Sequence, residues 1–148
     1  MSLFARLKGV HTTMASVIAA SLGADIKKVL VGRKVNVTDF KPPCIWILPE
    51  PSPINDNGMG LSEIWDPTYW LIAIVKSTKD SLEATEAAEQ LAIRASGALL
   101  ADRKLGGLAE DLTRIGWDPA DSRVMDTDES LYGAAVRVKV KLVNKEVM

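Results

Sequence analysis

The chain has 148 residues, a formal net charge of -1 at pH 7 and a single cysteine. Charged residues make up 25% of the sequence. The length predicts a single domain over residues 1–148 with a substantial core, and the charge gives no basic surface of the kind that binds nucleic acid. One cysteine excludes an internal disulfide. A single cysteine also fits a reducing compartment, and no apolar run approaches the roughly 20 residues of a membrane span, so we expect a soluble, cytoplasmic protein.

The first predicted element is an amphipathic helix over residues 3–22. Its apolar residues recur at intervals of three and four, and Gly23 is well placed to end it. A short strand is possible over residues 26–31, before a turn at residues 32–34. His11, the only histidine, lies beside the apolar stripe of the helix, and we interpret it as structural or surface-exposed.

Two apolar runs predict an antiparallel pair of buried strands. The first, Cys44 to Leu48, follows Pro42 and Pro43, and the second is an uncharged run over residues 69–75. We interpret Cys44 as a buried, inert thiol. Residues 49–62 contain three prolines and two glycines and predict a long loop. The second strand is expected to begin within residues 61–65 and to be interrupted at residues 66–67.

A long helix is predicted from about Asp80 to residue 101. Asp80 and Glu83 have the spacing of a capping box, and a stripe of mostly alanine follows. This stripe, Ala84, Ala88, Leu91, Ala95 and Leu99, lets the helix lie close to a sheet. Glu83, Glu86 and Glu89 lie mostly off the stripe, on an expected solvated face. Residues 102–107 carry basic residues and glycines that are typical of a helix end.

The rest of the chain predicts further strands. A strand over residues 112–117 is favoured over a helical turn at residues 108–112, and a turn at residues 118–121, a short strand at 122–125 and a polar bend at 126–130 follow. Strict alternation over residues 132–142 predicts a long antiparallel strand, apolar on one side and basic, with Arg137, Lys139 and Lys141, on the side in water. The fold class is therefore α+β, a mostly antiparallel sheet of about four to six strands with two helices packed on it.

The sequence contains no recognisable catalytic pattern. A single histidine excludes histidine-paired triads and multi-histidine metal sites. Asp126, Asp128 and Glu129 are dense enough to hold a divalent ion, but the EF-hand spacing fails at Leu131 and Arg137, so a solvated turn is the better interpretation. Glycine-rich phosphate loops are also missing. We therefore predict no enzymatic activity, no cofactor and no metal.

The order of these elements is an N-terminal helix, a proline-introduced apolar strand, a long loop, a second apolar strand, a long helix and a closing strand pair. It resembles the tail terminator, or tail completion, proteins of long-tailed phages and of related tail-like particles, and the likeness covers nearly the whole chain. The resemblance implies a small α+β domain that forms a hexameric ring on the tail tube, ends its polymerisation and joins the tail to the head connector.

The resemblance also implies partners and a location. The partners are further copies of the chain, the tail tube protein and the head-tail connector protein, with no membrane and no sequence-specific nucleic acid among them. The location is the neck of a virion tail assembled in the host cytoplasm. Residues expected at subunit or partner contacts are those of the long loop, the acidic helix face and the basic strand face: Ile54, Asn55, Asp56, Asn57, Met59, Glu83, Glu86, Arg137, Lys139 and Lys141.

Two alternatives stay open. Another neck component, such as a head completion protein, would also be small and non-enzymatic. A small α+β domain could instead bind a ligand or metal, using the acidic turn at residues 126–129 and the tryptophans between residues 46 and 70 as a pocket. A ring protein should assemble with concentration or with its partner, whereas a ligand domain should stay monomeric and gain thermal stability from its ligand.

Overall fold

The computed structural model describes residues 3–32, 40–50, 54–56, 63–76, 81–119 and 131–144. Both long helices form where the apolar spacing predicts them. The elements are α1 (Leu3–Leu22), β1 (Lys28–Val31), β2 (Cys44–Glu50), β3 (Ile54–Asp56), β4 (Glu63–Trp65), β5 (Thr68–Lys76), α2 (Ser81–Leu100), β6 (Asp111–Asp118) and β7 (Leu131–Asn144). In these ranges, neither helix is long and apolar enough to cross a membrane.

The strands form one mixed, mostly antiparallel sheet. β3 continues the line of β2 and β4 continues the line of β5, so the seven segments make five strand lines in the order β1, β2/β3, β4/β5, β7, β6. Among the described strand pairs, only that of β1 with β2 is parallel. The predicted antiparallel pairing of β2 with β5 is confirmed, from Cys44 opposite Ile74 to Glu50 opposite Thr68. The α+β class predicted from the sequence is confirmed.

Both helices pack on the same face of the sheet and enclose the larger core. Val10, Met14 and Ile18 of α1 are fully buried there, together with Leu71 of β5 and Val138 of β7. The stripe of α2 also faces this core, as its spacing predicts, and we expect its small side chains to let the helix pack close to the sheet. At the end of α2, the backbone turns through Gly106 at a φ of 68°, a conformation that favours glycine.

The opposite face of the sheet carries a second apolar cluster. Trp46 of β2 packs against Phe40, with ring centroids 5.7 Å apart, and Ile72 and Ile74 of β5 are fully buried beside them. Ala135 of β7 belongs to the same cluster. The prediction that β7 has one side in water is therefore wrong for its N-terminal half. Alternation reveals which residues share a face, but Gly133 and Ala135 are too small to indicate whether that face is covered.

Residues 49–62 are not a loop throughout. Pro49 and Glu50 end β2, and Ile54–Asp56 forms β3, which pairs with β4. Proline is tolerated at the end of a strand, so Pro49 lies within β2 and does not mark the start of the loop. The predicted interruption at Asp66 and Pro67 does separate β4 from β5. The predicted turn at residues 33–34, the cap at Asp80, the turn residues after 119, the strand over 122–125 and the acidic bend over 126–130 lie outside the described residues.

Candidate functional site: charged faces and an apolar cleft

The basic residues of β7 lie on the face of the sheet that points away from the helices. Val136, Val138 and Val140 enter the helix-covered core, so Arg137, Lys139 and Lys141 project from the other side. Lys139 stands between Thr68 of β5 and Thr113 of β6 in the register, and Lys141 stands opposite Asp111. The C-terminal half of β7 thus carries the exposed basic surface that the alternation predicts.

Arg137 does not contribute a free charge to this surface. Its Nε donates to Glu50 Oε2 at 2.8 Å, its Nη2 forms an ion pair with the same oxygen at 2.8 Å, and its guanidinium carbon lies 5.9 Å from the centre of the Trp70 ring. Trp70 Nε1 donates to the other carboxylate oxygen of Glu50. Because Glu50 and Arg137 neutralise each other, Lys139 and Lys141 are the remaining basic side chains of this strand face, with Asp111 of β6 opposite Lys141.

The acidic residues of α2 lie on the other layer of the molecule. Glu83 and Glu86 are exposed on the side of the helix that faces away from the sheet, while Ala84 and Ala88 of the same helix are buried. The sheet therefore separates the acidic helix face from Lys139 and Lys141. The acidic side chains of α2 and the lysines of β7 therefore form two different surfaces on opposite sides of the sheet.

The described part of the expected contact loop lies close to the basic end of β7. Ile54–Asp56 pairs with β4, and β4 pairs with the end of β7, where Trp65 stands opposite Leu142. The structure therefore places Ile54, Asn55 and Asp56 two strands away from the C-terminal end of the basic strand. Asn57 and Met59 lie outside the described residues.

Neither a scan of protein-family models nor a search of curated protein sequences found a match to this chain. Within the described ranges, no group of three histidine, cysteine or acidic side chains is arranged to hold a metal ion. The acidic turn at residues 126–129 is outside those ranges.

An apolar cleft between α2 and β6 was not predicted. It has a volume of about 330 Å³ and is lined by Ile93, Arg114, Gly116, Trp117 and Val136. Trp117 is 57% exposed and Ile93 is 49% exposed, so two large apolar side chains stand at its walls. Arg114 is fixed along the cleft, because its Nε donates to Ser96 Oγ at 2.8 Å and its Nη2 donates to the Ile93 carbonyl at 3.2 Å.

A β-bulge explains why the sequence did not reveal this cleft. The register of β6 against β7 shifts between Arg114 and Gly116, so Arg114 and Trp117 both point toward the helices. Strict alternation would have placed Trp117 on the opposite face from Leu112. Gly116 was the available signal, because glycine inside a strand often marks a bulge or a close approach. A Cβ there would lie 3.3 Å from Arg137 Cβ.

The remaining polar residues of interest are structural. Cys44 is buried, and burial raises the pKa of its thiol to about 11, against the opposing effects of a backbone hydrogen bond at Lys41 and the charge of Lys28. His11 Nε2 and the Tyr69 hydroxyl lie 2.9 Å apart, and Tyr69 is 1% exposed. Burial raises the pKa of Tyr69 and lowers the pKa of His11, so the pair is neutral at pH 7.

The lowered pKa of His11 predicts a pH-dependent stability. Its folded-state pKa lies below the ordinary value of 6.5, so between these two values the unfolded chain binds more protons than the folded one. The stability that neutral His11 contributes to the folded state is complete above pH 6.5, and it is lost as the pH falls toward and through the folded-state pKa. We expect urea unfolding to show a smaller loss of stability on acidification for His11→Gln than for the natural chain. Equal losses in the two proteins would contradict the prediction.

Proposed function

We propose that this protein is a structural subunit of a phage tail or a related tail-like particle. In this role it forms a ring, with six copies as the expected number, that caps the tail tube, ends its polymerisation and joins the tail to the head connector. Its partners are other copies of itself, the tail tube protein and the connector protein, and its place is the tail neck.

The observation that carries the proposal is the separation of charge onto opposite layers. Glu83 and Glu86 are exposed on the helix layer, and Lys139 and Lys141 project from the far face of the sheet. A head-to-tail contact uses two different patches of each subunit, and it closes into a ring when the rotation between neighbours permits. Complementary charge on the two patches favours this contact over contacts between like faces.

The element order supports the same proposal. The described fold has the N-terminal helix, the two long apolar strands, the long helix and the closing strand pair on which the resemblance rests. The β3 and β4 segments add a candidate contact element, because they extend the sheet beside the end of β7, where Lys141 lies. These features favour an assembly role in which one end of the sheet meets a neighbouring subunit or the tube.

The test is the mass of the purified chain by light scattering over a wide concentration range, with negative-stain images of the same samples. We expect rings of about six subunits. Reversing the basic patch with Lys139→Glu and Lys141→Glu should prevent ring formation, and adding Glu83→Lys and Glu86→Lys to that variant should restore it. Lys27→Glu is the matched control, because Lys27 is exposed just before β1, and β1 lies at the sheet edge three strand lines from β7.

Two results would count against the proposal. Rings that form equally well after charge reversal at Lys139 and Lys141 would show that this separation of charge does not direct assembly. A natural chain that is monomeric at every concentration, and that gains thermal stability when a small molecule or divalent ion is added, would favour the ligand-binding alternative.

A further inference from the structure

The most exposed large apolar side chain of the described residues is Phe4, which is 77% exposed near the start of α1. Lys8 lies one helical turn further on, on the same face, and is also exposed. Arg6 fixes this end of the helix, because its Nη1 donates to the Val143 carbonyl at 2.7 Å. The protein therefore carries an aromatic side chain with a neighbouring positive charge, held beside the C-terminal end of β7.

The cleft between α2 and β6 has the properties of a receptor for such a side chain. Its volume of about 330 Å³ accommodates a phenyl ring, and Ile93 and Trp117 provide apolar walls. Arg114 lies along the cleft with its guanidinium held by Ser96 and Ile93, in a position to contact the face of an incoming ring. Aromatic rings bind favourably beside a guanidinium group, so an aromatic occupant suits the cleft better than an aliphatic one.

The charges beside Phe4 and beside the cleft are complementary. Glu89 lies one helical turn before Ile93, on the side of α2 that borders the cleft, and is partly exposed. A ring that enters from an α1 helix brings Lys8 with it, and Lys8 is then available to Glu89. A buried aromatic anchor with a charged pair at its rim is the usual anatomy of a protein interface.

The aromatic side chain and the cleft are too far apart for one molecule to fill its own cleft. Arg6, two residues after Phe4 on α1, is bonded to Val143, whereas the cleft lies beside Val136, seven residues earlier on the same strand. At the rise of a β-strand, that separation is roughly 23 Å. The two patches are therefore different and distant, and a contact between them joins one copy to the next.

We propose that Phe4 of one subunit inserts into the cleft between α2 and β6 of the next subunit, with Lys8 placed against Glu89. This inference rests on the proposed function and specifies one of its subunit contacts. It also assigns a role to Trp117, which the bulge in β6 turns toward the cleft.

The test replaces Phe4 with the photo-crosslinking analogue p-benzoylphenylalanine and maps the cross-linked peptides of the assembled protein by mass spectrometry. We expect cross-links between two chains, from position 4 to the segment around Ile93 or Trp117. Phe4→Ser should weaken self-association at least about 30-fold, as the loss of a central aromatic anchor does. Ile115→Ser is the matched control, because Ile115 is exposed on β6 but is not part of the cleft lining.

A second pair of variants tests the charged contact. Lys8→Glu should weaken self-association, and Glu89→Lys in the same chain should recover it. Phe4→Ser is not expected to change the thermal unfolding of the isolated subunit, because Phe4 is exposed. Unchanged thermal unfolding would show that weaker self-association of Phe4→Ser comes from the lost contact between subunits and not from a destabilised fold.

The outcomes distinguish this inference from the proposed function. Rings whose cross-links map elsewhere, or whose assembly is unchanged by Phe4→Ser, would overturn the contact and leave the ring proposal standing. The expected cross-links in dimers or open filaments, without rings, would support the contact and count against the ring. Cross-links from position 4 to no other chain, or a symmetric dimer joined through Trp117 of both copies, would overturn the contact.

Discussion

Replacing Ile72 with alanine should lower the free energy of unfolding by about 2–5 kcal/mol, the usual cost of deleting a buried isoleucine side chain to its β-carbon. Ile72 is fully buried on the sheet face opposite the helices. Leu71→Ala, on the helix-covered face, should cost a similar amount, because Leu71 is also fully buried. Urea unfolding followed by tryptophan fluorescence or circular dichroism measures both values.

The comparison of these two variants tests whether both faces of the sheet are covered within one chain. Ile115→Ala provides the matched control, since it makes the same chemical change at a side chain that is 41% exposed, and we expect it to alter stability by no more than about 0.5 kcal/mol. A small effect for Ile72→Ala, close to that of Ile115→Ala, would contradict the burial of the second face.

Replacing Ala95 with leucine should destabilise the fold by about 1–3 kcal/mol or more. Ala95 is fully buried in the C-terminal half of the α2 stripe and belongs to the same core as Leu99, Val136 and Val138. Three additional carbon atoms there require α2 to move away from the sheet or neighbouring side chains to leave their preferred rotamers. Thermal and urea unfolding of the purified variant measure the loss.

Ala87→Leu is the control for this prediction, because Ala87 lies on the same helix but is exposed. Leucine and alanine differ little in helix propensity, so the exposed change should have a small effect. If Ala87→Leu and Ala95→Leu lower the free energy of unfolding equally, the loss of stability comes from a change in the helix itself and not from its packing on the sheet. The prediction of close packing between α2 and the sheet would then be wrong.

Periodicity predicted the elements that pack on the larger core. α1 spans Leu3–Leu22 as its three-four spacing indicates, and the alternation over residues 132–142 falls within β7. The favoured strand over residues 112–117 also forms, as part of β6. These patterns are reliable because a residue on a covered face must be apolar whatever its long-range partners are.

Features that depend on partners distant in sequence were not predictable. The alternation in β7 placed Lys139 and Lys141 on the correct face, but it could not show that Glu50, 87 residues away, neutralises Arg137. The cleft was missed because one bulged residue reverses the direction of Trp117. Its walls come from α2 and β6, and no local pattern links Ile93 to Trp117.

The position of β7 has a consequence for how the protein folds. β7 follows all the other described strands in the chain, yet it lies between the β4/β5 line and β6 and pairs with all three segments. Until residues 131–144 leave the ribosome, the apolar strand β5 has one uncovered edge and β6 has no neighbour among the described strands. The described sheet is therefore completed only after β7 has been synthesised, and shorter nascent chains expose strand edges that are prone to aggregation.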